Sequence, residues 1–287
     1  MVAQVVLNGF VTGLIVALPA IALTLTYSIT KFPNFAIGAM LTVGAYIAYA
    51  LNSMAGLPLL LAALAAAPLS GAVAVAADQT VFRKLRDRTA ITLLVASMGL
   101  SFILENVARF IFGNSARSFD IAIARPYEVL GLRINYEQLV SGGTAVAAMV
   151  VIYVLIGYTA LGRAMRAVSD NPPLAAVRGI DRERIIRATW MIAGIVTGLA
   201  GVLIGMDRAI DPLLGWNYIV SVFAAAILGG LGNPVGAAIA ALTVGVVEET
   251  STLLIPPNYR QVVSFLAIAL LLLMRPQGLL GAQRIKK

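Results

Sequence analysis

The sequence contains no histidine and no cysteine. Without cysteine there is no disulfide staple, no thiolate nucleophile and no cysteine metal site; without histidine, the commonest metal ligand and the usual proton relay near neutral pH are also missing. Zinc and redox functions are set aside on that ground and no cofactor is expected. A membrane enzyme is disfavoured as well, because no paired carboxylates flank a polar nucleophile. Charge is scarce: 12% of the 287 residues are charged and 60% are hydrophobic, with a mean hydropathy of +0.92. A soluble core of this size could not bury so much apolar surface, so the chain reads as an integral membrane protein. No GxxxxGK[ST] phosphate loop occurs, so any use of ATP requires a partner that hydrolyses it.

What is present is a series of long uncharged runs: 1 to 30, 32 to 77, 138 to 162, 188 to 206, 212 to 247 and 261 to 274. A helix crossing about 30 Å of hydrocarbon needs roughly 20 residues, so several runs are single spans and some are two. Cutting at charges and at proline and glycine gives spans near 4 to 28, 34 to 53, 57 to 80, 90 to 112, 138 to 160, 186 to 206, 217 to 230, 234 to 254 and 259 to 276. The fold class expected is an all-α integral membrane protein of about eight or nine transmembrane helices with broken segments. Residues 1–287 form a single transmembrane domain in this reading, since loops of about 25 residues leave no room for a soluble one. The apolar start, too long for a secretory signal, reads as the first span.

The net charge of +8 needs no nucleic-acid partner, because basic residues gather on the cytoplasmic loops of membrane proteins. Arg83, Lys84, Arg86 and Arg88 form one such cluster, the 162 to 187 segment a second, and Arg284, Lys286 and Lys287 a third. The 113 to 137 segment balances Arg117, Arg125 and Arg133 against Asp120, Glu128 and Glu137, the 207 to 211 segment has Asp207 and Asp211 around Arg208, and both read as external. Counting crossings from these assignments puts the N-terminus outside and the C-terminus in the cytoplasm, with 217 to 254 leaving the outer face and returning to it through a break at GGLGNP.

The most polar segment is GRAMRAVSDNPPLAAVRGIDRERIIR, Gly162 to Arg187, with six arginines and three acids in 26 residues. Asp170 and Asn171 precede Pro172-Pro173, a helix start in which a short polar side chain caps backbone N–H groups and proline occupies the first turn. A short helix runs to Gly179, which can take the left-handed conformation that ends helices. Asp181 is a second N-cap leading into the next span. Leu174, Ala175, Ala176 and Val177 make a small apolar knob flanked by Arg163, Arg166 and the charges that follow, a shape suited to a groove on another protein.

The run from Gly162 to Leu203 resembles the coupling-loop region of the LivH-type permeases of bacterial branched-chain amino acid ABC transporters. Three further segments match in the same order: TLTYSITKFPNFAIGAMLTVGAYIA, TAITLLVASMGLSFILEN, and ILGGLGNPVGAAIAALTVGVVEE with NYRQVVSFLAIALLLLMRPQGLLG. The family often has histidine in its Asn-Phe-Ala-His-Gly signature, where this chain has Ile37, so any role of that histidine is absent. The resemblance implies a multi-pass protein of the bacterial inner membrane, paired with a second, LivM-like permease subunit, two cytoplasmic ABC ATPase subunits and a periplasmic substrate-binding protein. The cargo implied is a branched-chain or hydrophobic amino acid. A permease for urea or short amides of the same group is the alternative, and a stand-alone secondary transporter would lack the need for a coupling helix.

Ionisable groups inside a membrane are functional suspects by default. Glu105 sits beside Asn106 deep in the fourth span, with Arg109 one turn on at a spacing that suits an ion pair. Of Glu248 and Glu249, Glu248 is favoured for the pathway because it follows Gly232 and Gly245 on a face of small residues. Asp78 reads as an interfacial anchor near Arg83. Breaks at Pro33-Asn34-Phe35 and at Gly229 to Pro234 expose backbone groups able to bind a zwitterion. Asn34, Gly38, Gly232 and Asn233 complete the pathway candidates. Gly9/Gly13, Gly194/Gly198 and Gly201/Gly205 repeat the spacing that lets helices approach closely.

Overall fold

The computed structural model describes residues 2–120, 126–129, 131–256 and 259–274. It is helical apart from one hairpin. Helix α1 spans Val2–Thr30, and α2 spans Ala36–Tyr49 and continues through a π turn to Met54. Helix α3 (Leu59–Ala77) runs through a second π turn, Asp78–Phe82, into the single turn α4 (Arg83–Leu85). Then come α5 (Ala90–Phe112), the strands β1 (Tyr127–Val129) and β2 (Leu132–Ile134), and α6 (Tyr136–Tyr158). Two polar helices, α7 (Ala160–Asp170) and α8 (Pro172–Val177), precede α9 (Arg182–Asp207), α10 (Leu214–Gly229), α11 (Pro234–Ser251) and α12 (Arg260–Met274). By length and composition six helical stretches among the described residues can cross a membrane: α1, α2 to Met54, α3 through α4, α5, α6 and α9.

Short polar side chains set the helix starts. Thr89 accepts from the backbone N–H of Thr92 at the head of α5, Asn135 and Gln138 form a reciprocal box at α6, and Asn233 accepts from Gly236 N at α11. Every apolar segment expected from the sequence is present as a helix. The segment placed between 162 and 187 differs, because α7 begins only two residues after α6 ends. Thr159 caps it, and Gly162 lies so close to the backbone of Ile156 that a Cβ there would collide with it.

In lipid, hydrocarbon tails are as apolar as leucine, so helices associate through close packing rather than through exclusion of water. Small residues supply that closeness here. The most extensive helix pair is α1 against α11, where a Cβ on Gly9 would come within 2.8 Å of Gly245 O and one on Gly13 within 2.8 Å of Leu242 Cα. Helix α9 packs next most widely, against α3 and α2. Its Gly194 meets Gly71, its Gly198 meets Gly44, and a side chain on Gly201 would run into Leu41 O. The glycine pairs read from the sequence as packing surfaces therefore sit at these crossings, except that Gly205 abuts Phe119 and Ile210 in the loops instead of a helix.

Hydrogen bonds tie the loops into two groups at opposite ends of the bundle. At one end, Gln4 exchanges bonds with the backbone of Arg133, Arg117 pairs with Ile210 in a β-bridge, and Asn52 accepts from Asp120 N. At the other, Ser169 donates to Ser28 O, and Lys31 reaches Ser169. Helix α1, 29 residues and so about 43 Å long, joins the two ends. The described residues of the 113 to 137 segment, and residues 207 to 211, thus share an end with the N-terminus. The basic tail from Arg284 to Lys287 lies outside the described residues.

Helix α10 starts inside the bundle. Its Gly215 donates to Thr42 Oγ1 at 2.9 Å and rests on Gly38. Thr42 lies ten residues before Asn52, about 15 Å along α2 from that loop end. With 16 residues, about 24 Å, α10 is shorter than the hydrocarbon core of a bilayer.

Candidate coupling surface and substrate passage

The polar segment folds into a compact elbow. Helix α7 buries Gly162, Met165 and Val168 along one face and exposes Arg163, Arg166 and Asp170. The two arginines turn back on α6: Arg163 donates to Tyr158 O at 3.3 Å and Arg166 to Ile156 O at 2.5 Å. The last carbonyls of a helix lack intrahelical partners and carry partial negative charge, so cations there are stabilising. Arg163 and Arg166 therefore hold the elbow to the bundle as well as giving it charge.

At α8 the cap is Asn171, whose Oδ1 accepts from Leu174 N at 3.1 Å; Asp170 closes α7 instead. Gly179 has φ +79° and ends the turn. Asp181 Oδ1 then accepts from Glu183 N at 2.9 Å and Arg184 N at 3.2 Å, starting α9. The apolar knob is divided by the fold. Leu174 and Val177 are 56% and 83% exposed, and Ala176 is exposed, whereas Ala175 is only 3% exposed and belongs to the core. Ala175 is thus a seat for the helix and not part of its outer surface, because a single helical turn cannot present four consecutive residues on one side.

Beside this elbow is a charge cluster whose membership the sequence did not reveal. Asp78 is completely buried and pairs with Arg86, not Arg83, at 2.5 Å; Arg86 also holds Glu183 in the first turn of α9. Arg83 makes only an exposed contact with Glu183. Burial opposes the charge on Arg86, yet its hydrogen bonds to Asp78 and Glu183 leave its pKa above the ordinary arginine value. Asp78 is therefore a buried member of a bridge from α3 to α9 rather than an interfacial anchor. The signal available in the sequence was limited to spacing, since Arg83 and Arg86 both fall within reach of Asp78.

The pathway candidates separate into three places. Gly38 and Glu105 line one narrow cleft between α2, α5 and the start of α10, together with Phe35, Ser101 and Trp216. Asn34 is fully buried just before that wall; its Oδ1 accepts from Ala36 N, and its Nδ2 has no partner among the described residues. Glu105 Oε1 accepts from Arg109 at 2.9 Å, the i, i+4 pair expected. Asn106 turns its amide to Phe102 O on the exposed side of α5 and does not line the cleft.

Gly232 and Asn233 have a different task. Gly232, at φ +95°, is exposed in the tight turn between α10 and α11, and Asn233 caps α11. Gly232 therefore lies outside α11 and shares no helix face with Glu248. Glu248 is buried elsewhere, between α10, α11 and α12, accepting from Ser221 at 2.6 Å and from Ser264. Its neighbour Glu249 pairs with Arg260 at 3.1 Å. No cluster of groups able to hold a metal ion occurs among the described residues.

The family described as branched-chain amino acid transport system, permease component, matches residues 5–273. The high-affinity branched-chain amino acid transport system permease protein LivH of Salmonella typhimurium is 30% identical over 302 residues, covering 99% of this chain and 97% of that protein. The corresponding permease protein BraD of Pseudomonas aeruginosa is 30% identical over 298 residues, with 99% and 97% covered. Among solved structures, PsaBC from Streptococcus pneumoniae in complex with Fab superposes with a TM-score of 0.51 over 94% of this chain and 91% of that one. At 13% identity that likeness concerns the fold alone.

Proposed function

This chain belongs to the family of permease components of branched-chain amino acid transport systems, a multi-pass inner-membrane transport subunit and not an enzyme, and we propose that it carries branched-chain or other hydrophobic amino acids inward. In this reading it pairs with a second permease subunit and is driven by two cytoplasmic ATPases, while an external binding protein delivers the cargo. The full-length match to the LivH and BraD permeases supports the choice of cargo. The chain crosses the bilayer nine times, α10 finishing the crossing that residues 208 to 213 begin because the helix alone is too short, with the N-terminus outside and both the α7–α8 elbow and the C-terminus in the cytoplasm. The apolar flanks that α5 and α6 leave uncovered by this chain are available to lipid and to the second permease.

The observation that carries the coupling role is the geometry of α8. It is capped at both ends, by Asn171 and by Gly179, and is seated by Ala175, while Leu174, Ala176 and Val177 project outward. Because Asp181 starts α9 only two residues after Gly179, a push on α8 is delivered directly to the foot of α9. Closure of the ATPases on bound ATP would supply that push, and the cleft beside α5 would open alternately to the two sides.

Co-purification from detergent-solubilised native membranes tests the reading. Wild type is expected to bring down ATPases and a second permease, and Ala176→Arg to lose the ATPases while keeping its thermal stability, since Ala176 is exposed. Wild type that purifies alone and transports in liposomes without ATP would replace this reading with that of a secondary carrier.

A further inference from the structure

Resting on the amino acid permease reading, we propose that the cleft between α2, α5 and the start of α10 is a recognition site for a free α-amino acid zwitterion, with Glu105 taking the ammonium group and Ser101 and Thr42 the carboxylate. Three observations converge on it. Ser101 is 5% exposed, lines the cleft, and its Oγ has no hydrogen-bond partner among the described residues. A buried hydroxyl without a partner is costly, and one that faces a cleft is poised for a ligand. Thr42 Oγ1 accepts from Gly215 N, which leaves its own proton to donate into the same space.

The second observation is the polarity of the walls. At the head of α10 the N–H of Leu213 is held by Asp211 Oδ1 and that of Gly215 by Thr42 Oγ1, so the carboxylate offsets the positive end of the helix dipole and the anion site rests on the two hydroxyls. Glu105, on the neighbouring turn of α5, offers the opposite charge: its Oε1 is held by Arg109, and among the described residues no donor reaches Oε2. A ligand matching these walls has an anionic group and a cationic group a few ångströms apart, as an α-amino acid does. Urea and neutral amides carry neither. The third observation is the apolar remainder of the lining, Phe35, Trp216 and Ile219, which matches an aliphatic side chain.

The cleft is narrow in this structure, so occupancy requires the start of α10 to move off α2, which releases Thr42 Oγ1 from Gly215 N and leaves its hydroxyl proton free to donate to the carboxylate. Only small groups meet there: Gly38 and Gly215 touch backbone to backbone, and the chain ahead of α10 carries Pro212 and a β-bridge at Ile210. The turn at 211 to 214 is closed by Asp211, which accepts from Leu213 N and Leu214 N, so it moves with α10 as one unit.

The test uses the intact complex purified from native membranes and reconstituted in liposomes with ATP inside, reading uptake of radiolabelled leucine against urea. Glu105→Gln is expected to lower leucine uptake by about tenfold or more, the loss that follows from removing a charged hydrogen bond. Glu105→Asp should restore much of it, Ser101→Ala should lower it several-fold, and Ile103→Ala, on the exposed side of the same helix, should leave it unchanged. Complex yield and binding-protein-stimulated ATPase activity are measured alongside, to separate loss of recognition from loss of assembly. Leucine uptake by Glu105→Gln within twofold of wild type would overturn the site and leave the amino acid permease reading standing. A wild-type complex that carries urea and not leucine would overturn both.

Discussion

Among the described residues Arg86 is the sole ionic partner of Asp78, and removing it leaves a carboxylate stranded at 0% exposure. One Asp78 oxygen already lacks a partner among the described residues, so no alternative donor is at hand. Breaking a buried pair from one side costs about 3–5 kcal/mol, whereas replacing both partners with apolar groups of similar bulk is near neutral. Arg86→Met is therefore expected at the upper end of that range. Asp78→Val belongs at the lower end, because Glu183 still neutralises Arg86. The double variant should return to within about 1 kcal/mol of wild type, since Glu183, 40% exposed, remains solvated when left alone. The coupling energy of the cycle would then be several kcal/mol, well above what independent sites show. Equilibrium unfolding in mixed micelles can be followed by the fluorescence of Trp190, which is 1% exposed and stacked on Phe82 at 5.0 Å, in the π turn that Asp78 opens. If Arg86→Met costs less than about 1 kcal/mol, or if the two single effects simply add, the bridge does not hold α3 to α9 and the reasoning fails.

Two further perturbations address packing and the buried carboxylate. Gly201→Val forces a branched side chain against Leu41 O at the α2–α9 crossing and should destabilise by at least about 1–3 kcal/mol, while Gly99→Ala on α5, where nothing lies within 4 Å, should be neutral or slightly stabilising; a common unfolding shift for both would refute the contact assignment. Glu248→Leu leaves the hydroxyls of Ser221 and Ser264 without their acceptor and should cost about 1–3 kcal/mol, with Glu248→Gln costing less because its carbonyl can still accept, and equal melting temperatures for the two variants would show that these hydroxyls do not depend on it.

The all-helical class and the places of the long apolar helices were legible in the sequence, and so were the caps of the polar elbow. Helix length, an Asn or Asp ahead of a proline, and a glycine behind a short apolar run are local signals whose physics involves neighbours a few residues away. Asn171, Gly179 and Asp181 each perform the role their position suggested. The i, i+4 pair of Glu105 and Arg109 was equally readable, because the helix itself sets that distance. Helix α7 was the exception, since its start depends on the close approach of Gly162 to Ile156 after a sharp bend.

Which way each helix faces was decided only in the tertiary structure. In a soluble protein a polar stripe marks the solvent side, but lipid and protein core are equally apolar, so a membrane helix carries little record of its own rotation. That is why the sequence could name Asn34, Gly38, Glu105, Gly232, Asn233 and Glu248 but could not say that Gly38 and Glu105 share a cleft with Ser101, that Gly232 and Asn233 build a surface turn, and that Glu248 is enclosed by two serines. The same reason covers Asp78, whose choice of Arg86 over Arg83 depends on where the π turn leaves each side chain. Composition and local spacing made this chain a membrane protein with a capped polar elbow; the rotation and crossing of its helices determined which of its few polar groups meet.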